Sequence, residues 1–239
     1  MNVIILAAGE DYLSTKNSQY PLCLTEYKGQ SIIQHISNSI NFDNDKVLFI
    51  FQEKHIRKYH LKSIVNLLSS NKADVSSIPD NTSGAAASAL LGAVKLEQEQ
   101  PLLVISSNQL TDINYQQLSD FMMENNYDAG TVIFEDIHPR YSFVSLDEDG
   151  LINEASEKKP ISKNATAGIY WFKETALFVS SVKNMIRNDA KVDNKFYICP
   201  SLNEVILNGG RVGAFHINKK DYHPLKDVYQ FEEVLNEGR

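Results

Sequence analysis

Residues 1–29, MNVIILAAGEDYLSTKNSQYPLCLTEYKG, decide how the chain is read. Residues 3–6 are a short apolar run of strand length, and Ala7, Ala8 and Gly9 let the chain leave it through a loop of small residues. Such a loop brings backbone amides close to a nucleotide. The next four residues do not suit phosphate: Glu10, Asp11, Tyr12 and Leu13 supply no cation and no further glycine. A carboxylate at Asp11 adds repulsion to a polyphosphate unless it points away.

Outward from this stretch, apolar runs at 47–51, 75–78 and 102–105 read as further buried strands. Between them 31–40, 56–68 and 84–96 carry apolar residues at helical spacing, and 115–123 follows the fourth strand. That βαβα order implies a largely parallel sheet with helices on both faces. Ligands then belong at the carboxyl ends of the strands, where 7–10 and 106–110 lie. After residue 126 the pattern changes. A strand is expected at 130–135, then a hairpin from 141–146 to 151–155 around Asp147-Glu148-Asp149-Gly150, then a strand at 167–172. Helices are expected at 174–186 and 200–207, the second stopped by Gly209-Gly210, then a strand at 211–217 and a last helix at 226–235. No linker or repeat interrupts the chain, so the expectation is one domain of two interleaved halves, 1–112 and 113–239. The fold class is α/β: doubly wound, a mostly parallel mixed sheet with helices on both faces and an added β-hairpin.

The net charge of −7 in 239 residues excludes nucleic-acid or anionic-membrane binding by bulk attraction. Cys23 and Cys199 have no redox or zinc spacing and read as small apolar residues. No run approaches the ~20 apolar residues of a membrane span, and no signal peptide precedes the first strand, so a cytoplasmic protein is expected. His35, His138 and His223 have no Cys or His at ligand spacing. Lys54, His55, Arg57, Lys58, His60 and Lys62 read as the solvated face of a helix.

Several short pieces occur in a telling order. They are Leu6-Ala7-Ala8-Gly9, Gly29 before a helix, Gly84 opening the helix after the third strand, Glu157-Lys158 beside Pro160, Ala167-Gly168-Ile169-Tyr170, and Asn203-Glu204. In this order and spacing the chain resembles the sugar-phosphate nucleotidyltransferases, which join a sugar 1-phosphate to a nucleoside triphosphate and release pyrophosphate. The resemblance implies their nucleotide-diphospho-sugar transferase-like fold. It also implies their chemistry, an in-line attack on the α-phosphorus aided by positioning, charge neutralisation and Mg²⁺.

Carried over position by position, the resemblance splits the chain in two. The family's loop arginine falls on Leu13, its Pro-Lys lysine on Leu22, and its magnesium-binding aspartate on Asn108. Asn108 can offer a carbonyl oxygen but no charge, and Mg²⁺ depends on anionic oxygens. Asp112 and Asp221 remain as metal candidates, although Asp112 reads first as the cap of the helix after it. Also unmatched are the family's second loop glycine and hydroxyl residue, which fall on Asp11 and Tyr12, and its late aspartate, whereas the ligand-binding positions are kept. For nucleotide, the resemblance implies Leu6, Ala7, Ala8 and Gly9, with Asn81, Ser83 and Gly84 in the stretch that reads the base. For the sugar phosphate it implies Asn108, Glu157, Lys158, Gly168 and Tyr170, with Glu157 taking hydroxyls and Lys158 the phosphate. Read alone, Glu157 and Lys158 fit a solvated strand end as well as a ligand site.

Three functions are compatible with this pattern. In the first, the chain is a divergent relative in surface-polysaccharide or sugar-nucleotide metabolism that binds nucleotide or sugar phosphate with weak or lost catalysis, a pseudoenzyme with or without a protein partner or a second copy of itself. In the second, it is an active nucleotidyltransferase using Mg²⁺, on a sugar 1-phosphate or a small phosphorylated alcohol, with Lys16, Lys28, Asp112 and Asp221 in place of the lost groups. In the third, it is a scaffold that takes no small molecule.

Overall fold

Residues 1–9, 20–79 and 82–225 are described here by a computed structural model. The first strand, β1 (Asn2–Leu6), is buried along its whole length because both faces of its sheet are covered. A 3₁₀ turn at Leu22–Leu24 leads to a two-residue pair, β2 (Glu26–Tyr27) and β3 (Gln30–Ser31), and into α1 (Ile32–Asn38). Next come β4 (Lys46–Gln52), α2 (Glu53–Tyr59), α3 (Leu61–Leu68), β5 (Asp74–Ile78) and α4 (Ala85–Ala93). The middle of the chain gives β6 (Leu102–Ser106), β7 (Gln109–Thr111), α5 (Tyr115–Glu124) and β8 (Ala129–Glu135). It ends in β9 (Ser142–Leu146), β10 (Ile152–Glu157), β11 (Asn164–Phe172), α6 (Thr175–Arg187), α7 (Ser201–Leu207), β12 (Val212–His216) and β13 (Tyr222–Pro224).

Strands β5, β4, β1 and β6 run parallel in that order, with Val3 opposite Val47 on one side and Leu103 on the other. Antiparallel β11 continues the sheet from β6, and the β9–β10 hairpin and the parallel pair β8–β12 are joined to β11. Alternate residues of each strand face opposite cores. Val3, Ile5, Phe49 and Trp171 pack beneath α1, α3 and α5, whereas Ile4, Leu48, Ile50 and Phe172 pack beneath α4, α6 and α7. This is the doubly wound arrangement that the alternating pattern predicts, and the hairpin lies at the sheet's edge as expected.

Strand β11 bends. Its first residues pair with β9 and its last with β6, and its pairing with β8 shifts register between Thr166 and Tyr170. Gly168 sits in that shift at φ +69°, where a β-carbon would meet the Gln109 amide at 2.6–3.0 Å. The glycine serves the bend and the close packing of Gln109.

Several local expectations are corrected. The segment 56–68 is two helices, because His60 takes a left-handed conformation at φ 52° between α2 and α3. His55 is buried instead of solvated, with its ring 5.8 Å from that of Tyr59. Asp112 does not cap α5; Asn114 Oδ1 does, accepting from the backbone of Gln116 at 2.8 Å and Gln117 at 3.1 Å. Strands β7 and β13, which pair with each other, are too short to announce themselves by alternation. The helix expected at 226–235 lies outside the described residues. No helix among the described residues is long and apolar enough to cross a membrane.

Candidate functional site

The carboxyl ends of β1, β4 and β6 open onto a cleft of about 490 Å³. Backbone bonds from Ala7 N to Ile50 O and from Ser107 N to Leu6 O, both 2.9 Å, fix how the chain leaves these strands. One half of the cleft is walled by Leu6, Ala7, Ala8 and Gly9 together with Leu22, Gln52 and the start of α4 at Gly84 and Ala85. The other half presents Asn108, Gln109, Glu157, Lys158, Gly168 and Tyr170. The nucleotide and sugar-phosphate candidates thus meet across one cavity. Ser83 lies beside it with its carbonyl bonded to Phe196 N at 2.7 Å, and Leu13 and Asn81 lie outside the described residues.

Gly84 forms the seam between the halves. It holds φ +115°, a region open to glycine, and a β-carbon there would come within 2.5 Å of Phe196 O. Ala86 N also bonds Phe196 O at 3.0 Å. The packed backbone is thus the immediate reason for a glycine, and the loop it holds brings Lys195 and Tyr197 into the cleft.

Glu157 is 9% exposed and accepts a hydrogen bond from Ser142 Oγ, so its carboxylate is oriented before any ligand arrives. Burial pushes the Tyr170 phenol well above its ordinary value, so it stays neutral; its hydroxyl lies 3.2 Å from Thr166 Oγ1. Lys158 takes φ +57° at the end of β10, and its Nζ is 2.8 Å from Asp193 Oδ2 and 5.0 Å from the Tyr197 ring centre. The hydrogen bonds from Lys158 to Asp193 and Tyr197 raise its pKa above the usual lysine value, so it is cationic throughout the neutral range. An anionic ligand must compete with Asp193 for this charge. Asp193→Asn is expected to tighten sugar 1-phosphate binding about two- to fivefold, the scale of an exposed ion pair. Calorimetric titration measures it; unchanged or weaker binding counts against Lys158 as the anion's partner.

Arg140 and Lys195 also reach the cleft from loops. The loop before Arg140 is tied by Asp136, whose carboxylate accepts from the N–H groups of Ile137 at 2.7 Å and His138 at 2.8 Å and pairs with Lys219 at 2.9 Å. Burial raises the Asp136 carboxyl, but Lys219 and those N–H groups outweigh it and hold it below the usual carboxylate value. The tie therefore adds stability above the unfolded value of about 3.9 and loses it as pH falls through the lower folded value. Asp136→Asn is expected to flatten the acid limb of stability below about pH 4, as read from urea midpoints at several pH values.

The sequence reading did not anticipate Gln52, Arg140, Ser142, Lys195 or Tyr197 in the cleft, and it reached Gln109 only as part of the strand end 106–110. Gln52 had a signal, since it directly follows the apolar run 47–51 at a carboxyl strand end. The loop cations had none, because only the packing of Phe196 on Gly84 and the anchoring of Asp136 aim them.

The other candidates lie elsewhere. Asp112 pairs with His223 Nε2 at 2.9 Å, and its backbone N–H donates to Asp221 O at 2.9 Å, on the small β7–β13 sheet. Neither carboxylate is among the cleft-lining residues, nor is Lys28, whose ammonium lies 5.0 Å from the Tyr27 ring centre. Lys16 lies outside the described residues. Among the described residues no three His, Cys, Asp or Glu side chains cluster as metal ligands. Glu157 is the only carboxylate among the described residues lining the cleft, with the amide oxygen of Asn108 nearest in kind. Mg²⁺ is usually held by one or two carboxylates together with waters and substrate phosphates, and of these the described residues lining the cleft supply Glu157 alone. Cys23 and Cys199 are both buried thiols, Cys23 in the cleft wall.

Comparison with known proteins agrees with this fold. The sequence profile of the family described as nucleotidyl transferase matches residues 4–208. A glucose-1-phosphate adenylyltransferase of Clostridium acetobutylicum is 34% identical over 76 residues, which is 30% of this chain and only 20% of that protein. The fold of a nucleoside-diphosphate-sugar pyrophosphorylase from Vibrio cholerae RC9 superposes with a TM-score of 0.83 at 17% identity, over 99% of this chain and 100% of that one. An inositol-1-phosphate CTP transferase from T. maritima gives 0.75 at 13% identity, over 99% and 95%. At these identities the two structures speak to the fold.

Proposed function

The chain belongs to the nucleotidyl transferase family, and from that premise we propose that it is a binding member of it. The cleft takes a nucleotide or a sugar phosphate, and nucleotidyl transfer is weak or lost. One observation carries this reading. At the positions where the resemblance puts a lysine and a magnesium-binding aspartate, the cleft wall holds Leu22, 8% exposed, and Asn108. Groups that act on a transition state contribute orders of magnitude each, whereas ligand binding draws on the rest of the surface. The rest is well supplied: an oriented Glu157, the cations Arg140, Lys158 and Lys195, and small-residue walls. In this proposal residues 1–112 hold the nucleotide and 113–239 the sugar phosphate. The protein serves surface-polysaccharide or sugar-nucleotide metabolism as a regulator or as the partner of an active enzyme.

Titration calorimetry with nucleoside mono- and triphosphates and sugar 1-phosphates, with and without Mg²⁺, is run beside an assay of pyrophosphate release. Micromolar to millimolar binding with turnover well below about 1 s⁻¹ is the expected result. Turnover at ordinary enzymatic rates overturns it in favour of an active transferase, a reading that Arg140 and Lys195 in the cleft support as replacement cations. Silence across the panel leaves the scaffold. Inositol 1-phosphate belongs in the panel, because one fold neighbour is described as transferring to it.

A further inference from the structure

Gln52 closes β4 on the floor of the cleft's nucleotide half and is 6% exposed. Its amide has two ends that differ only in hydrogen-bonding sense, and its surroundings settle which is which. Nε2 lies 3.0 Å from Ala8 O and 3.4 Å from Gly9 O. Backbone carbonyls only accept, so the NH₂ end must face them. Oε1 is thereby fixed as the other end, and it is buried without a hydrogen-bond partner among the described residues. Turning the amide over would set its oxygen against the same carbonyls. A mobile glutamine offers either sense; this one is pinned as an acceptor.

A buried acceptor with no donor among the described residues calls for one, and a ligand in the cleft that Gln52 lines can supply it. Ala7, Ala8, Gly84 and Ala85, which line the same half of the cleft, carry almost no side-chain bulk, so a flat ring can approach closely there. The oriented carboxylate and the cations belong to the other half. Resting on the reading of this half as a nucleotide site, we propose that Gln52 is a specificity-determining residue whose Oε1 accepts a hydrogen bond from an N–H on the base edge. The site then admits bases that present a donor there and rejects the same bases once that donor is blocked.

The experiment measures affinities of the unsubstituted protein and of Gln52→Met for three kinds of probe. They are the common nucleoside 5′-monophosphates, the same nucleotides with base N–H groups methylated, and ribose 5-phosphate. For the unsubstituted protein, methylation should weaken the best-bound nucleotide about tenfold or more, the scale of a buried acceptor left unpaired. Gln52→Met should lose about as much for the unmodified nucleotide, become indifferent to methylation, and bind ribose 5-phosphate within about twofold of the original. Equal losses for nucleotide and ribose 5-phosphate would mean that Gln52 only holds the carbonyls of Ala8 and Gly9, and would overturn the proposal. So would nucleotide binding that ignores methylation, which leaves the cleft's nucleotide reading standing. No nucleotide binding at all removes both. The methylation comparison needs no variant, so it decides the matter even where Gln52→Met fails to fold.

Discussion

Leu22→Lys combined with Asn108→Asp is expected to raise pyrophosphate release from nucleoside triphosphate and sugar 1-phosphate by about a hundredfold or more, since a single preorganised charge is worth about 10²–10³ in rate. Leu22 stands on the 3₁₀ turn at the cleft wall, so a lysine stem can lie along the same apolar surface while its ammonium reaches the polar interior. Asn108 Oδ1 is buried and lacks a hydrogen-bond partner among the described residues, so a carboxylate there displaces no existing bond of that oxygen. It also supplies the cleft with a second anionic oxygen group beside that of Glu157. Each substitution alone should recover much less, because groups that act together on one transition state are strongly non-additive. The assay is run with Mg²⁺ on variants whose thermal unfolding is cooperative. If the folded double variant stays as slow as the original, the deficit lies in the loop of Glu10 to Leu13 and not in these two positions.

Gly84→Val should produce the largest loss of stability from one exchange near the cleft. Valine at φ +115° carries backbone strain of about 1–3 kcal/mol, and a β-branched side chain fits that region worst. Its β-carbon would also lie 2.5 Å from Phe196 O and 2.7 Å from Phe196 N, backbone atoms that cannot rotate away. Together these should cost about 4 kcal/mol or more, which for a chain of this size lowers the melting temperature by roughly 8–16 °C. The functional loss should exceed that of simple destabilisation, because the displaced segment carries Lys195 and Tyr197. Where the variant folds, sugar-phosphate affinity should fall with it. A melting temperature within about 2 °C of the original would show that the seam yields easily and does not shape the site.

Much of the fold was legible because its signals are local. The buried strands are short continuous apolar runs, and the helices between them repeat with helical spacing, so a largely parallel sheet covered on both faces follows from alternation and the right-handed crossover rule, whereas the order β5-β4-β1-β6 does not. Short or broken elements were not legible. Strands β7 and β13 are three residues each and exist through pairing with one another, and the break at His60 depends on one residue's backbone conformation. Asp112 and Asn114 are equally good helix caps by type, and only the geometry selects Asn114.

The sequence by itself determined the doubly wound class, the strand ends at which a ligand belongs, and the absence of a cation from residues 10–13. Those properties depend on residue type and on spacing of a few positions, which the linear chain carries in full. Tertiary structure alone decided which polar groups share the cleft and in what sense they face it. Gly84 against Phe196 brings in Lys195, Asp136 against Lys219 holds the loop before Arg140, and Asp112 is drawn away to His223. Gln52 is the sharpest case. Its position could be read from the chain, but only the two carbonyls against its Nε2 fix it as an acceptor, because an amide's sense is set by its neighbours and not by its own covalent structure.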